Sequence, residues 1–129
     1  MTGRKVLIGY AMNFASFLVD SGIGDKINSI ILFGSVARGD FTKDSDIDIF
    51  IDCSENFEDD AKKILSLFEL SQVHKSGQLR GINNKISIKV GVLKDWSLRR
   101  EVTSSGITLY GKYSELPKEA KYYALLHIS

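Results

Sequence analysis

Residues 30–52 read Ile30-Ile-Leu-Phe-Gly34-Ser35-Val-Ala-Arg38-Gly39-Asp40-Phe-Thr-Lys-Asp44-Ser45-Asp46-Ile-Asp48-Ile-Phe-Ile-Asp52, and the fold turns on them. The stretch begins as a short, fully apolar strand over residues 29–33 that stops at Gly34-Ser35. Glycine at that point lets backbone N–H groups come close to a ligand. It ends as a second strand, residues 46–52, in strict alternation. Ile47, Ile49 and Ile51 take one face, and Asp46, Asp48, Phe50 and Asp52 take the other. Asp46 and Asp48, two residues apart on a strand, leave the same face about 7 Å apart along the chain. Paired hard oxygen ligands with coordination positions left open for water and phosphate suit Mg²⁺.

Working outward, Leu7, Ala11, Phe14, Phe17 and Leu18 recur at helical spacing over residues 4–20, and Gly22 and Gly24 follow as stop signals. Between the two strands lie about a dozen residues with little helical pattern, which suits a long hairpin-like connection. Residues 56–70 return to helical spacing through Phe57, Ala61, Ile64, Leu65 and Phe68, with Ser54 or Asn56 as N-cap. Residues 85–92 alternate again, with Ile86, Ile88, Val90 and Val92 apolar. Asp95 is placed to cap a short helix holding Trp96, Leu98 and Val102, and residues 107–110 read as a last strand. The expected fold class is α/β (α+β): a small mixed sheet with helices packed on one face. The expected domain spans residues 1–116. Residues 117–129 are a C-terminal tail or the truncated start of a further element.

Composition narrows the class. Of 129 residues, 43% are apolar, 26% are charged and one is proline, which excludes a disordered or collagen-like chain. The apolar runs are too short for a membrane span, and no signal-peptide cleavage pattern follows the N-terminus, so a cytoplasmic protein is expected. One cysteine, Cys53, excludes an internal disulfide and a cysteine-cluster metal site. The net charge of +1 conceals an asymmetry. Residues 1–60 hold five Lys/Arg against eleven Asp/Glu, and residues 61–129 hold twelve against five. Such a division fits metal-binding carboxylates set beside a basic wall, for which Lys75, Arg80, Lys85 and Lys89 are candidates. His74 and His127 have no partner at metal-ligand spacing and read as packing or surface residues.

The run from Phe33 to Gly39, followed by Ser45-Asp46-Ile47-Asp48-Ile49, resembles the signature of the nucleotidyltransferase superfamily that includes DNA polymerase beta. It is most similar to the small prokaryotic minimal nucleotidyltransferases. The resemblance implies Mg²⁺ on Asp46 and Asp48, in a one- or two-metal site, and nucleotide phosphates on Gly34 and Ser35. Arg38 and Lys89 are further candidates for nucleotide binding, with an ion pair to Asp40 or Asp44 as the structural alternative for Arg38. The implied activity transfers a nucleoside monophosphate from an NTP, with ATP expected, to a hydroxyl. The acceptor is left open between a partner protein, as in toxin–antitoxin pairs, and RNA, and an oligomer is possible. Members of the superfamily usually carry a third carboxylate on a neighbouring strand. On residues 85–92 the positions facing the site are Ser87, Lys89 and Gly91, none acidic. The expectation is that Lys89 lies near the carboxylate pair. The second reading is a nucleotide- or partner-binding module with little or no catalysis.

Overall fold

The apolar stripe of the first helix is buried as its spacing predicts: Leu7, Ala11, Phe14 and Leu18 are at 0% exposure along α1 (Arg4–Val19). The structure is a computed structural model and describes residues 3–97 and 99–111. Leu98 and the expected tail, residues 117–129, lie outside the described residues. A 3-10 turn at Gly24–Lys26 leads into β1 (Ile27–Phe33), which is followed by a single helical turn, α2 (Gly34–Arg38). Then come β2 (Ile47–Cys53), α3 (Glu58–Glu69), α4 (Gln72–Leu79), β3 (Ile86–Gly91), a 3-10 turn at Leu93–Asp95, α5 (Arg99–Ser105) and β4 (Ile107–Gly111).

The sheet order is β3-β2-β1-β4. β1 runs antiparallel to both β2 and β4, while β2 and β3 are parallel, so the sheet is mixed as expected. Strand alternation divides the side chains. Ile30 and Leu32 of β1, Ile47, Ile49 and Ile51 of β2 and Ile88 of β3 pack with α1 and with Ala61 and Phe68 of α3 into the main core. Phe68 is ringed by Tyr10, Phe14 and Phe17, with centroids 5.3–5.5 Å away, which locks α3 onto α1.

The expectation of helices on one face holds for α1, α3 and α4. α5 covers part of the other face, because Ile31, Phe33 and Phe50 point there and need apolar cover. Val102 of α5 and Trp96 supply it in a second, smaller cluster. Trp96 stacks on Phe50 at 4.4 Å and meets Phe33 edge-on at 5.3 Å. Asp95 lies in the 3-10 turn, and α5 starts only at Arg99. α3 begins after Phe57, and Asn56 Oδ1 accepts from the Glu58 N–H at 3.0 Å. Among the described residues no helix is long and apolar enough to cross a membrane.

Candidate active site

The site forms where β1 ends beside the start of β2. Phe33 pairs with Asp48 across the ladder, and the chain then turns through Gly34 at φ +75°. A Cβ on Gly34 would lie 2.3 Å from Oδ2 of Asp48, so only glycine lets the loop backbone rest against that carboxylate. Beyond it, α2 is fastened at its far end. Gly39, at φ +90°, and Asp40 both donate backbone N–H bonds to the Ser35 carbonyl, at 2.8 and 3.1 Å. Arg4 of α1 donates Nε to the Val36 carbonyl at 3.1 Å and Nη2 to that of Ala37 at 2.5 Å. The guanidinium thus satisfies carbonyls that the helix end leaves open.

Three acidic residues, Asp46 just before β2 and Asp48 and Asp52 on it, are not equivalent. Asp52 is engaged: the Leu93 N–H donates to its Oδ1 at 3.0 Å and the Ser29 hydroxyl to its Oδ2 at 3.4 Å. Asp46 is exposed and Asp48 half-buried. Among the described residues neither accepts a hydrogen bond or forms an ion pair. Burial pushes the Asp48 carboxyl above the usual carboxylate range. The negative charges of Asp46 and Glu101 push it the same way, against the cations of Arg38 and Lys89.

Two carboxylates with open valences, one of them held unfavourably beside like charge, are a donor set that a divalent cation relieves. A hard divalent cation fits them on that ground. Among the described residues no cluster of three His, Cys, Asp or Glu side chains is placed to hold a metal.

Of the residues singled out in the sequence, Gly34, Ser35, Asp46 and Asp48 come together. Arg38 stands at the far end of α2 and is ion-paired with Asp40 at 3.3 Å and Glu101 at 2.5 Å. Lys89 is on the carboxylate face, as alternation requires, but its register partner is Phe50; the residue opposite Asp48 is Ser87. Lys89 is exposed beside a cavity of about 360 Å³ lined also by Phe50, Glu58 and Trp96. Sequence reasoning missed Arg4 and Glu101. Arg4 reads as an ordinary start to a helix, and Glu101 as one charge in a polar helix. Neither the 32-residue reach of Arg4 nor the 63-residue reach from Arg38 to Glu101 leaves a local signal.

The family model described as "Polymerase beta, Nucleotidyltransferase" matches residues 22–115. Of curated proteins, "Putative protein adenylyltransferase MJ0604" of Methanocaldococcus jannaschii is 38% identical over 90 residues, 66% of this chain and 80% of that protein. "Putative protein adenylyltransferase MJ1379" of the same organism is 48% identical over 44 residues, 34% of this chain and 44% of that protein. The crystal structure of a mutant of the toxin-antitoxin MntA-HpeT shares the fold. Its TM-score is 0.51 at 19% identity, covering 90% of this chain and 82% of that one.

Proposed function

The chain belongs to the polymerase beta nucleotidyltransferase family, and from that premise we propose that it moves AMP from ATP to a hydroxyl group of a partner protein. The observation that carries this reading is the unpartnered pair Asp46 and Asp48 with the Gly34 backbone against it. Curated relatives named as protein adenylyltransferases support the nucleotide and the acceptor class.

Asp46 and Asp48 would hold Mg²⁺. When bound, the ion neutralises charge on the attacking and leaving oxygens of an in-line displacement. The other roles fall to the chain itself. The backbone at Gly34 and Ser35 and the Ser35 hydroxyl take the outer phosphates, and α2, braced by Arg4 and Gly39, keeps them at a fixed distance from Asp48. Arg38, at the C-terminal end of α2, offers its guanidinium to phosphate only by giving up Asp40 or Glu101. The acceptor oxygen bonds to the α-phosphorus, and the bond to pyrophosphate breaks on the opposite side.

A second reading rests on Ser87. The strand position opposite Asp48 carries a hydroxyl where a third acid would complete the metal site, and this favours a chain that binds nucleotide better than it transfers it. One experiment separates the two. The purified chain is incubated with [α-³²P]ATP, with and without Mg²⁺, together with proteins that co-purify with it. Mg²⁺-dependent label on protein that disappears in D46N/D48N is the expected result. Mg²⁺–ATP binding with no label on any protein assigns the chain to the second reading.

A further inference from the structure

We infer that the groove between loop 40–46 and the connection from α4 to β3 is the acceptor subsite, and that it takes an acidic segment of a partner protein. The inference rests on the transfer reading above and adds the chemistry of the acceptor. Asn84 builds the groove. Its Nδ2 donates to the Ser45 carbonyl at 2.7 Å and reaches the carbonyls of Thr42 and Lys43 at 3.4 Å. Just beyond, the Ile47 N–H donates to the Lys85 carbonyl at 2.7 Å. The loop that delivers Asp46 is therefore fastened to the start of β3. Between them opens a groove of about 390 Å³ lined by Phe41, Thr42, Lys43, Arg80, Asn83 and Asn84.

Position assigns the groove its role. The sheet order puts the end of β1, with Gly34 and Ser35, on one side of β2 and the start of β3 on the other. In-line transfer places the nucleophile opposite the departing pyrophosphate. With pyrophosphate over Gly34 and Ser35, the acceptor hydroxyl comes from the β3 side, where Asn84 of the groove holds the Ser45 carbonyl, next in sequence to Asp46. The hydroxyl oxygen then bonds to the α-phosphorus as the phosphoanhydride bond breaks, and its proton passes to solvent.

Charge assigns the ligand. The charged residues lining the groove are both basic, Lys43 and Arg80. Both are exposed, and among the described residues neither has an ion-pair partner. Lys85 adds a third such cation in the adjoining cavity, which shares Asn83 and Asn84 and is also lined by one acid, Glu69. Of the nearby acids, Asp40 is taken by Arg38, and Asp44 of the same loop is not among the lining residues. The aromatic ring of the groove, Phe41, packs against the main core, so it offers no free platform on which nucleic-acid bases would stack. Cations beside amide groups bind carboxylates, and with no ring free for bases the groove lacks the stacking that holds single-stranded RNA.

The test uses the whole chain and three fluorescent probes: a serine peptide flanked by glutamates, the same peptide flanked by lysines, and a single-stranded RNA with a free 3′ hydroxyl. Anisotropy titrations with Mg²⁺–ATP present should give the glutamate peptide at least about tenfold tighter binding than the lysine peptide. K43E/R80E should invert that order, which a merely unfolded variant could not do. Equal binding of the two peptides, an order unchanged in K43E/R80E, or RNA as the tightest ligand would each overturn the inference. Mg²⁺–ATP affinity measured in the same samples keeps the two readings apart, since its absence in the wild type refutes the transfer reading and not the groove.

Discussion

Gly34 and Asp48 meet so closely that a single methyl group on the glycine would stand 2.3 Å from the aspartate Oδ2. The contact ties the phosphate-side loop to the metal-side strand, and it is made where β1 and β2 pair through Phe33 and Asp48. The atom in the way is the end of a side chain, so a substitution displaces the carboxylate before it disturbs the sheet. G34A also forces a φ of +75° on an L side chain, at about 1–2 kcal/mol. The expected outcome is a folded protein of lower melting temperature whose Mg²⁺–ATP affinity falls by more than that stability loss explains. Calorimetric titration beside thermal denaturation checks it.

Ionising Asp48 carries a cost in the fold, since burial and then the charge of Asp46 raise its pKa. A carboxyl raised in the fold contributes stability fully below its ordinary pKa, and that contribution is lost as pH rises through the folded value. D48N removes the cost. In the absence of divalent cations D48N should therefore melt higher than wild type at pH 7, while wild type alone gains melting temperature when Mg²⁺ is added. Equal melting temperatures under both conditions would contradict this account of the pair.

Arg4 fastens α2 through two carbonyls, at Val36 and Ala37. Lysine carries the charge without the planar fork that meets both oxygens. R4K should cost about 1–2 kcal/mol in denaturant unfolding. It should also raise the KM for ATP more than it lowers kcat, because it loosens the phosphate loop and leaves the carboxylates in place.

The sheet was legible because its strands advertise themselves. The apolar run at 29–33 and the alternations at 46–52 and 85–92 fix which side chains face the core, and the structure keeps that division. The carboxylate pair was legible for the same reason. α2 was not, because five residues hold too little helix for a period to show. α4 was missed because it has no buried stripe: among its residues only Gly77 is buried, and Leu79 is 90% exposed. Arg4, Asn84 and Glu101 act across 32 to 63 residues of sequence, and such contacts belong to the packed fold and leave no local pattern. Alternation puts Lys89 on the correct face, and only the pairing register shows that Ser87 is the residue opposite Asp48.

Tyr10 is 3% exposed, its hydroxyl 2.5 Å from His74 Nδ1, and burial followed by the charge of Glu69 pushes its pKa up to about 12. The fold favours the neutral phenol, so this stability is complete below the ordinary value of 10 and is lost as pH rises toward about 12. Wild type should lose unfolding free energy steeply between those limits. Y10F should start about 1 kcal/mol lower at neutral pH, having left His74 without its partner, and should lack the steep alkaline loss. Parallel alkaline slopes in the two proteins would contradict this.

The central claim is that Asp46 and Asp48, against the Gly34 loop, are where Mg²⁺ and ATP bind together. Isothermal titration of Mg²⁺–ATP into wild type and D46N/D48N tests it most directly, with circular dichroism confirming that both are folded. The account predicts binding to the wild type that depends on Mg²⁺ and is at least about a hundredfold weaker in the double variant, because two charges beside a divalent ion are gone. Equal Mg²⁺–ATP affinity in the two proteins would contradict it.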